Sequence, residues 1–119
     1  MRSEERQAID AHVAALNHGE LQAVLDTFTP EAVFTSDGGQ ARGRAELAGL
    51  FDSVVGDERP TTILRRASQD GQRLDCVMTR RFTITDEEGR VAAAHDVDVR
   101  AVFTVKGGAI SKVKVDPID

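Results

Sequence analysis

The sequence contains no tryptophan, no tyrosine and a single cysteine, Cys76, in 119 residues. One cysteine excludes an intramolecular disulfide and a cysteine-rich metal site, and the missing tyrosine removes a common catalytic hydrogen-bond donor. No apolar run approaches the ~20 residues that span a bilayer, and the first residues, MRSEERQ, lack the apolar segment of a secretory signal. We therefore expect a cytoplasmic protein that does not insert into membranes.

Positive charge is also in deficit. Fifteen Lys and Arg residues stand against twenty Asp and Glu, which leaves a net charge of −5. This balance argues against a nucleic-acid or anionic-membrane binder. The length, together with 40% hydrophobic residues, predicts one domain over residues 1–119 with a sizeable core.

The spacing of apolar residues changes along the chain from a helical period to a strand period. Ile9, His12, Val13 and Leu16 form one face of a helix, and Gly19 is a typical helix stop. The same reasoning predicts helices over 4–17, 20–28 and 43–55, a strand over 32–36 closed by a loop at 37–39, a loop bracketed by Gly56 and Pro60, and strands over 61–68, 73–85, 91–105 and 109–115. This order, with its consecutive hairpins, indicates an α+β fold with helices on one face of a sheet.

Two stretches carry a family resemblance. They are AIDAHVAALNHGELQAVLDTFTPEAVFTSDGG, followed by RGRAELAGLF, and the later VRAVFTVKGGAISKVKV. Together they resemble the nuclear transport factor 2-like superfamily, which includes the SnoaL-like polyketide cyclases and the ketosteroid isomerases. The resemblance implies a cystatin-like cone, in which a strongly curved mixed or antiparallel sheet wraps around three N-terminal helices. It also implies an apolar pocket open at one end and homodimers formed through the outer face of the sheet.

The catalytic residues of the ketosteroid isomerases do not carry over in kind. His12 stands where those enzymes have a helix tyrosine that donates to the enolate. Ser36, followed by Asp37, stands at the catalytic aspartate, and Ala101 stands at a second, protonated aspartate. We therefore do not predict the ketosteroid isomerase reaction itself.

A second mechanism in the superfamily is equally incomplete. Limonene epoxide hydrolase uses an Asp-Arg-Asp arrangement on strands, and Arg81 matches its arginine. Thr83 and Val115 stand where the acids belong. The fold alone leaves isomerases, cyclases, dehydratases and non-enzymatic binders open.

Two candidate site residues come from the N-terminal half. His12 lies on the apolar stripe of the first helix, where its imidazole would donate a hydrogen bond or act as a base. Its structural alternative is a half-buried histidine bonded to a backbone carbonyl. Asp37 would act as a general base at the pocket rim, although a turn-forming aspartate bonded to its own backbone is the favoured alternative.

Two more candidates interrupt apolar strand faces. Arg80 would stabilise an enolate or bind a carboxylate; if the strand presents its other face inward, Arg80 lies outside and Arg81 takes that role. A hairpin turn centred on Glu87-Glu88 would place Arg80 opposite His95. The alternative is a structural Arg–His pair at an interface. Because Asp96 and Asp98 point to the opposite face from His95, no metal site is expected.

These residues predict a small-molecule enzyme without cofactor or metal. Its substrate would be a mostly apolar carbonyl compound, and its reaction would be proton abstraction next to that carbonyl, leading to isomerisation, cyclisation or dehydration. Asp37 or His95 would be the base, and His12 with Arg80 would stabilise the enolate. The predicted apolar walls are Phe34, Phe51, Phe82, Val97, Ala101 and Phe103. The alternative is a ligand-binding or dimerisation module without chemistry.

Overall fold

The ends of the first helix follow directly from local sequence. The computed structural model describes residues 3–55 and 60–118, and helix α1 spans Glu4–His18. The side-chain oxygen of Ser3 caps it by accepting a hydrogen bond from the backbone N–H of Arg6 at 3.1 Å. Gly19 ends it with a φ of 71°, a left-handed conformation that glycine adopts at little cost. The predicted first helix is confirmed.

The second helix is shorter than predicted, and the strand after it is longer. Helix α2 spans Leu21–Asp26 and strand β1 spans Phe28–Ser36. The backbone N–H of Thr27 bonds the carbonyl of Val24 and closes the helix there. Pro30 therefore lies inside a strand, where its missing N–H coincides with an irregular stretch of the ladder. The predicted helix over 20–28 thus ends two residues too late, because Thr29-Pro30 serves as its stop signal in the prediction.

A short strand, β2, occupies Gly39–Arg42, where the sequence analysis placed a loop over 37–39 and no element over 40–42. It pairs antiparallel with β1 from Ser36 opposite Gly39, so that Asp37 and Gly38 form a two-residue turn. The strand escaped prediction because its few residues show no apolar alternation. Helix α3 follows at once over Gly43–Ser53, and most of the loop predicted between Gly56 and Pro60 lies outside the described residues.

The second half of the chain is a meander of four strands. They are β3 over Thr61–Asp70, β4 over Arg73–Thr85, β5 over Val91–Lys106 and β6 over Ala109–Pro117. All four predicted strands are confirmed, with ends extended by a few residues.

The six strands form one mixed sheet in the order β2-β1-β6-β5-β4-β3. Strand β1 runs parallel to β6, and every other neighbouring pair is antiparallel. The predicted α+β class is confirmed. The sheet remains open, because β2 and β3 lie at opposite edges, and the strong curvature expected from the resemblance is somewhat overstated.

The helices pack against one face of this sheet, which we call the inner face. Core side chains that are almost fully buried come from both layers: Ile9, Val24, Leu47, Leu74, Cys76, Phe103, Val105, Ile110 and Val113. No helix within residues 3–55 and 60–118 has the length and apolar character needed to cross a bilayer.

The turn between β4 and β5 corrects the predicted pairing of Arg80 with His95. Asp86 pairs with Arg90 through its backbone N–H at 2.8 Å, and Gly89 adopts a φ of 81°, so the loop holds three residues instead of two. A bulge after Ile84 inserts another residue. Together these features shift the register, and Arg80 lies opposite Val97 while His95 lies opposite Phe82.

Candidate functional site

A cavity of about 270 Å³ lies between the inner face of the sheet and helices α1 and α3. Its wall is mostly apolar and includes four of the six predicted wall residues: Phe34, Phe51, Ala101 and Phe103. The polar groups that reach it are few and come from separate elements: His12, Ser36, Asp37, Thr62 and Arg80. A small apolar volume with several convergent polar groups is the usual form of a ligand site.

His12 lies deep in this cavity and is 4% exposed. Three phenyl rings surround its imidazole edge-on, with centroid distances of 5.2 Å to Phe28, 5.9 Å to Phe51 and 5.9 Å to Phe103. Burial among these rings, and secondarily the positive charge of Arg80, lowers the pKa of His12 from 6.5 to about 4. The imidazole is therefore neutral at pH 7.

A side-chain hydroxyl holds this imidazole from behind. Nδ1 of His12 lies 3.1 Å from Oγ1 of Thr27, and that hydroxyl donates to the backbone carbonyl of Val24 at 2.6 Å. Sequence analysis gave a direct hydrogen bond from His12 to a backbone carbonyl as the structural alternative. In the structure, the hydroxyl of Thr27 lies between the imidazole and the carbonyl of Val24. Thr27 was not predicted, because a lone threonine after a helix gives no signal of its partner.

The guanidinium in the wall belongs to Arg80, which is half-buried. Its neighbour Arg81 points to the opposite, outer face, where Nε bonds Asp96 Oδ1 at 2.9 Å and Nη2 bonds Oδ2 at 3.1 Å. The hydrogen bonds from Arg81 lower the pKa of the Asp96 carboxyl. The inner face of β4 thus carries one arginine, and it is the one with access to the cavity.

Asp37 marks the mouth of the cavity. It is exposed in the turn between β1 and β2, next to the half-buried Ser36, and both residues line the opening. An exposed carboxylate therefore lies beside the opening of the cavity.

The remaining predicted site residues lie apart from the cavity. His95 is exposed near the end of the β4–β5 hairpin, does not line the cavity, and is no longer directly opposite Arg80, the pairing that motivated its selection. Phe82 and Val97 are partly buried and lie outside the cavity wall. The structure therefore brings His12, Asp37 and Arg80 together and leaves His95 out.

Several wall residues were missed by sequence analysis. Apolar side chains complete the cavity from the helices and from the strands: Leu16, Leu50, Val54, Met78, Val99, Val113 and Val115. The helical and strand periods identified most of them as core, but periodicity does not say which core residues border empty space.

One polar side chain fixes the edge of the cavity without lining it. The amide of Asn17 bonds the backbone of Thr62 twice, donating from Nδ2 to the carbonyl at 2.9 Å and accepting the N–H on Oδ1 at 2.7 Å. This pair ties the end of α1 to the start of β3. Within the described ranges no three His, Cys, Asp or Glu side chains gather in a way that would hold a metal ion.

A model of the SnoaL-like domain family matches residues 9–113. The chain belongs to the SnoaL-like domain family. No curated protein matches this SnoaL-like chain by sequence.

Solved structures share the fold of this SnoaL-like chain over nearly its whole length. SalBIII, an epoxide hydrolase/cyclase-like enzyme of pyran ring formation in the polyether salinomycin, is 22% identical with a TM-score of 0.80, covering 96% of this chain and 90% of its own. TerC, co-crystallised with polyporic acid, is 18% identical with a TM-score of 0.80, covering 98% and 92%. A putative polyketide cyclase from Xanthomonas campestris pv. campestris is 22% identical with a TM-score of 0.73, covering 97% and 90%. At these identities the likeness establishes the fold alone.

Proposed function

We propose that the chain binds a small, mostly apolar carbonyl compound in its inner cavity and catalyses proton abstraction next to that carbonyl, without cofactor or metal. The single observation that carries this proposal is the meeting of a buried neutral imidazole and a half-buried guanidinium in one apolar cavity of about 270 Å³. This volume lies just below the ~300–1,000 Å³ of ordinary ligand pockets.

The chemistry assigned to each group follows from its charge. The carbonyl oxygen of the ligand faces Arg80, because a fixed cation stabilises the negative oxygen of an enolate. A proton acceptor, either Asp37 at the mouth or His12 in the depth, takes a proton from the adjacent carbon. The C–H electron pair forms a carbon–carbon double bond while the π pair of the carbonyl moves to its oxygen. In an unsaturated ligand, return of the proton at the far carbon of the conjugated enolate completes an isomerisation. Cyclisation or dehydration would start from the same enolate.

The structural relatives lend support to this reaction class. SalBIII is described as epoxide hydrolase/cyclase-like, and the Xanthomonas protein is a putative polyketide cyclase. TerC was crystallised with polyporic acid. Cyclic, largely apolar oxygenated compounds are therefore the first ligands to screen.

The test compares two neighbouring arginines. Candidate ketones are incubated in D₂O with the protein, and deuterium incorporation next to the carbonyl is followed by NMR. We expect Arg80→Met to slow exchange by about a hundredfold, the usual loss when one oxyanion donor is removed. The matched control, Arg81→Met, removes a cation from the outer face and should leave the rate unchanged. Equal rates in both variants would contradict the proposal.

The alternative function is a ligand-binding module without chemistry. It is favoured by His12 and Ala101, which occupy the positions of a tyrosine and an acid in the ketosteroid isomerases. Binding that depends on Arg80, with no exchange in any ketone of the panel, would select this alternative.

We also propose a cytoplasmic homodimer that associates through the outer face of the sheet. That face carries charged ladders, including Arg81–Asp96 and the pair Arg100–Asp75, whose Nε and Oδ1 lie 2.8 Å apart. A dimer built on such a surface should weaken as salt screens its charges. Sedimentation at low and high salt tests this, and a monomer in both would contradict it.

A further inference from the structure

We propose that Thr27 is a positioning residue that fixes His12 in the tautomer with the proton on Nδ1, so that the cavity presents the lone pair of Nε2 to its ligand. The inference rests on the proposed function only for the choice of ligand. The tautomer itself follows from hydrogen bonds that lie behind the cavity wall.

The direction of the bond between these residues is set by the third member of the chain. A carbonyl oxygen only accepts, so the 2.6 Å contact between Thr27 Oγ1 and the Val24 carbonyl needs the hydroxyl proton. The carbonyl oxygen of Val24, in the last turn of α2, also accepts the backbone N–H of Thr27 at 3.1 Å, and its second lone pair accepts the hydroxyl proton. With its only proton committed there, Oγ1 has lone pairs left for His12, and Nδ1 at 3.1 Å must be the donor.

The other ring nitrogen then has a defined state. A neutral imidazole carries one proton, and Nδ1 holds it, so Nε2 is a bare acceptor. In the part of the chain that the structure describes, no side-chain nitrogen or oxygen sealed from solvent lacks a hydrogen-bond partner. The hydrogen bond of His12 uses Nδ1, and His12 lines the cavity. Nε2 is therefore the atom that the cavity reaches.

This tautomer changes what the cavity selects. Sequence analysis left His12 either a donor role toward an enolate or the role of a base. An unprotonated Nε2 repels a carbonyl oxygen and attracts a proton, which favours the second role. A ligand that matches this arrangement directs a hydroxyl group, or a C–H made acidic by an adjacent carbonyl, toward Nε2. It directs an acceptor oxygen toward Arg80. In the reaction, Nε2 would take the proton and Arg80 would hold the oxygen that gains the electron pair.

The first test reads the tautomer directly. Long-range ¹H–¹⁵N correlation spectra of the ¹⁵N-labelled protein at pH 7 separate protonated from unprotonated ring nitrogens, and His12→Gln identifies the resonances of His12 among three histidines. We expect Nδ1 protonated in the wild type and in Thr27→Ser, which keeps the hydroxyl. Thr27→Val should shift the proton to Nε2, while the matched control Thr29→Val should not. A wild type with the proton on Nε2, or a Thr27→Val variant with the wild-type tautomer, would overturn the inference.

The second test uses two related probes, 4-hydroxyacetophenone and 4-methoxyacetophenone, in which a methyl group replaces the hydroxyl proton. We expect the wild type to bind the hydroxyl compound about tenfold more tightly, since one hydrogen bond of this kind is worth about a factor of ten. Thr27→Val should abolish the preference and Thr27→Ser should retain it. Equal affinities in the wild type would overturn the assigned acceptor. If neither probe binds, the proposed function loses its support, whereas the spectra still decide the role of Thr27.

Discussion

Acidification should destabilise this protein through one buried side chain. The folded-state pKa of His12 is about 4, below its ordinary 6.5, so the unfolded chain binds a proton that the folded chain refuses. The stability due to neutral His12 is present above pH 6.5 and is lost as the pH falls toward 4. At about 1.4 kcal/mol per pH unit, the free energy of unfolding should drop by about 2 kcal/mol between pH 7 and pH 5.

The assay is urea unfolding followed by far-UV circular dichroism, because the chain has no tryptophan or tyrosine for fluorescence. The difference in stability between wild type and His12→Gln isolates the histidine from the carboxylates that titrate lower. This difference should change by about 2 kcal/mol over that interval, and His95→Gln, at an exposed position, should show no such change. A pH-independent difference between wild type and His12→Gln would refute the reasoning, as would an NMR titration midpoint of His12 near 6.5.

Three further outcomes follow from particular contacts. Burial raises the pKa of the Cys76 thiol to about 11, so we expect it to react with a disulfide reagent at pH 8 only as fast as the protein unfolds; a fast reaction in the folded state would contradict this. Phe103→Ala, at a site 2% exposed, should lower stability by about 3–5 kcal/mol, whereas Phe103→Leu should cost clearly less in the same urea assay. Gly19→Ala places a side chain at a φ of 71° and should cost about 1 kcal/mol, whereas Gly49→Ala, at an exposed position within a helix, should raise stability by about 0.5–1 kcal/mol.

The sequence was sufficient to predict a helix or strand where the periodic pattern of apolar residues and the residues that end the element agreed. Helix α1 has an apolar stripe, a serine before it and a glycine after it, and all four strands of the later meander alternate clearly. The pattern did not predict β2, because its four residues show no apolar alternation. It also did not predict that β1 contains Pro30, because proline usually ends a helix, whereas here it lies in an irregular part of the strand pairing that tolerates its missing N–H.

The site was harder to predict than the fold for a related reason. The polar interruption at Arg80 was visible because the strand around it is apolar, and strand alternation separated it from Arg81. The predicted pairing of Arg80 opposite His95 was wrong because the register depends on a three-residue turn and a bulge that no local residue indicates. The bond between His12 and Thr27 joins two elements through a hydroxyl, and no spacing rule brings those two residues together.

The parallel pairing of β1 with β6 has a consequence for folding during synthesis. Strand β6 is inserted between β1 and β5, so the middle of the sheet cannot form until residues 109–117 have been synthesised. Val113 and Val115, which complete the cavity, arrive only then. Until then the helices and the β3–β5 meander form only part of the fold. Pairing between strands far apart in the sequence is also slow. The ability to bind a ligand should therefore appear in one step, after β6 has been synthesised and has paired with β1 and β5.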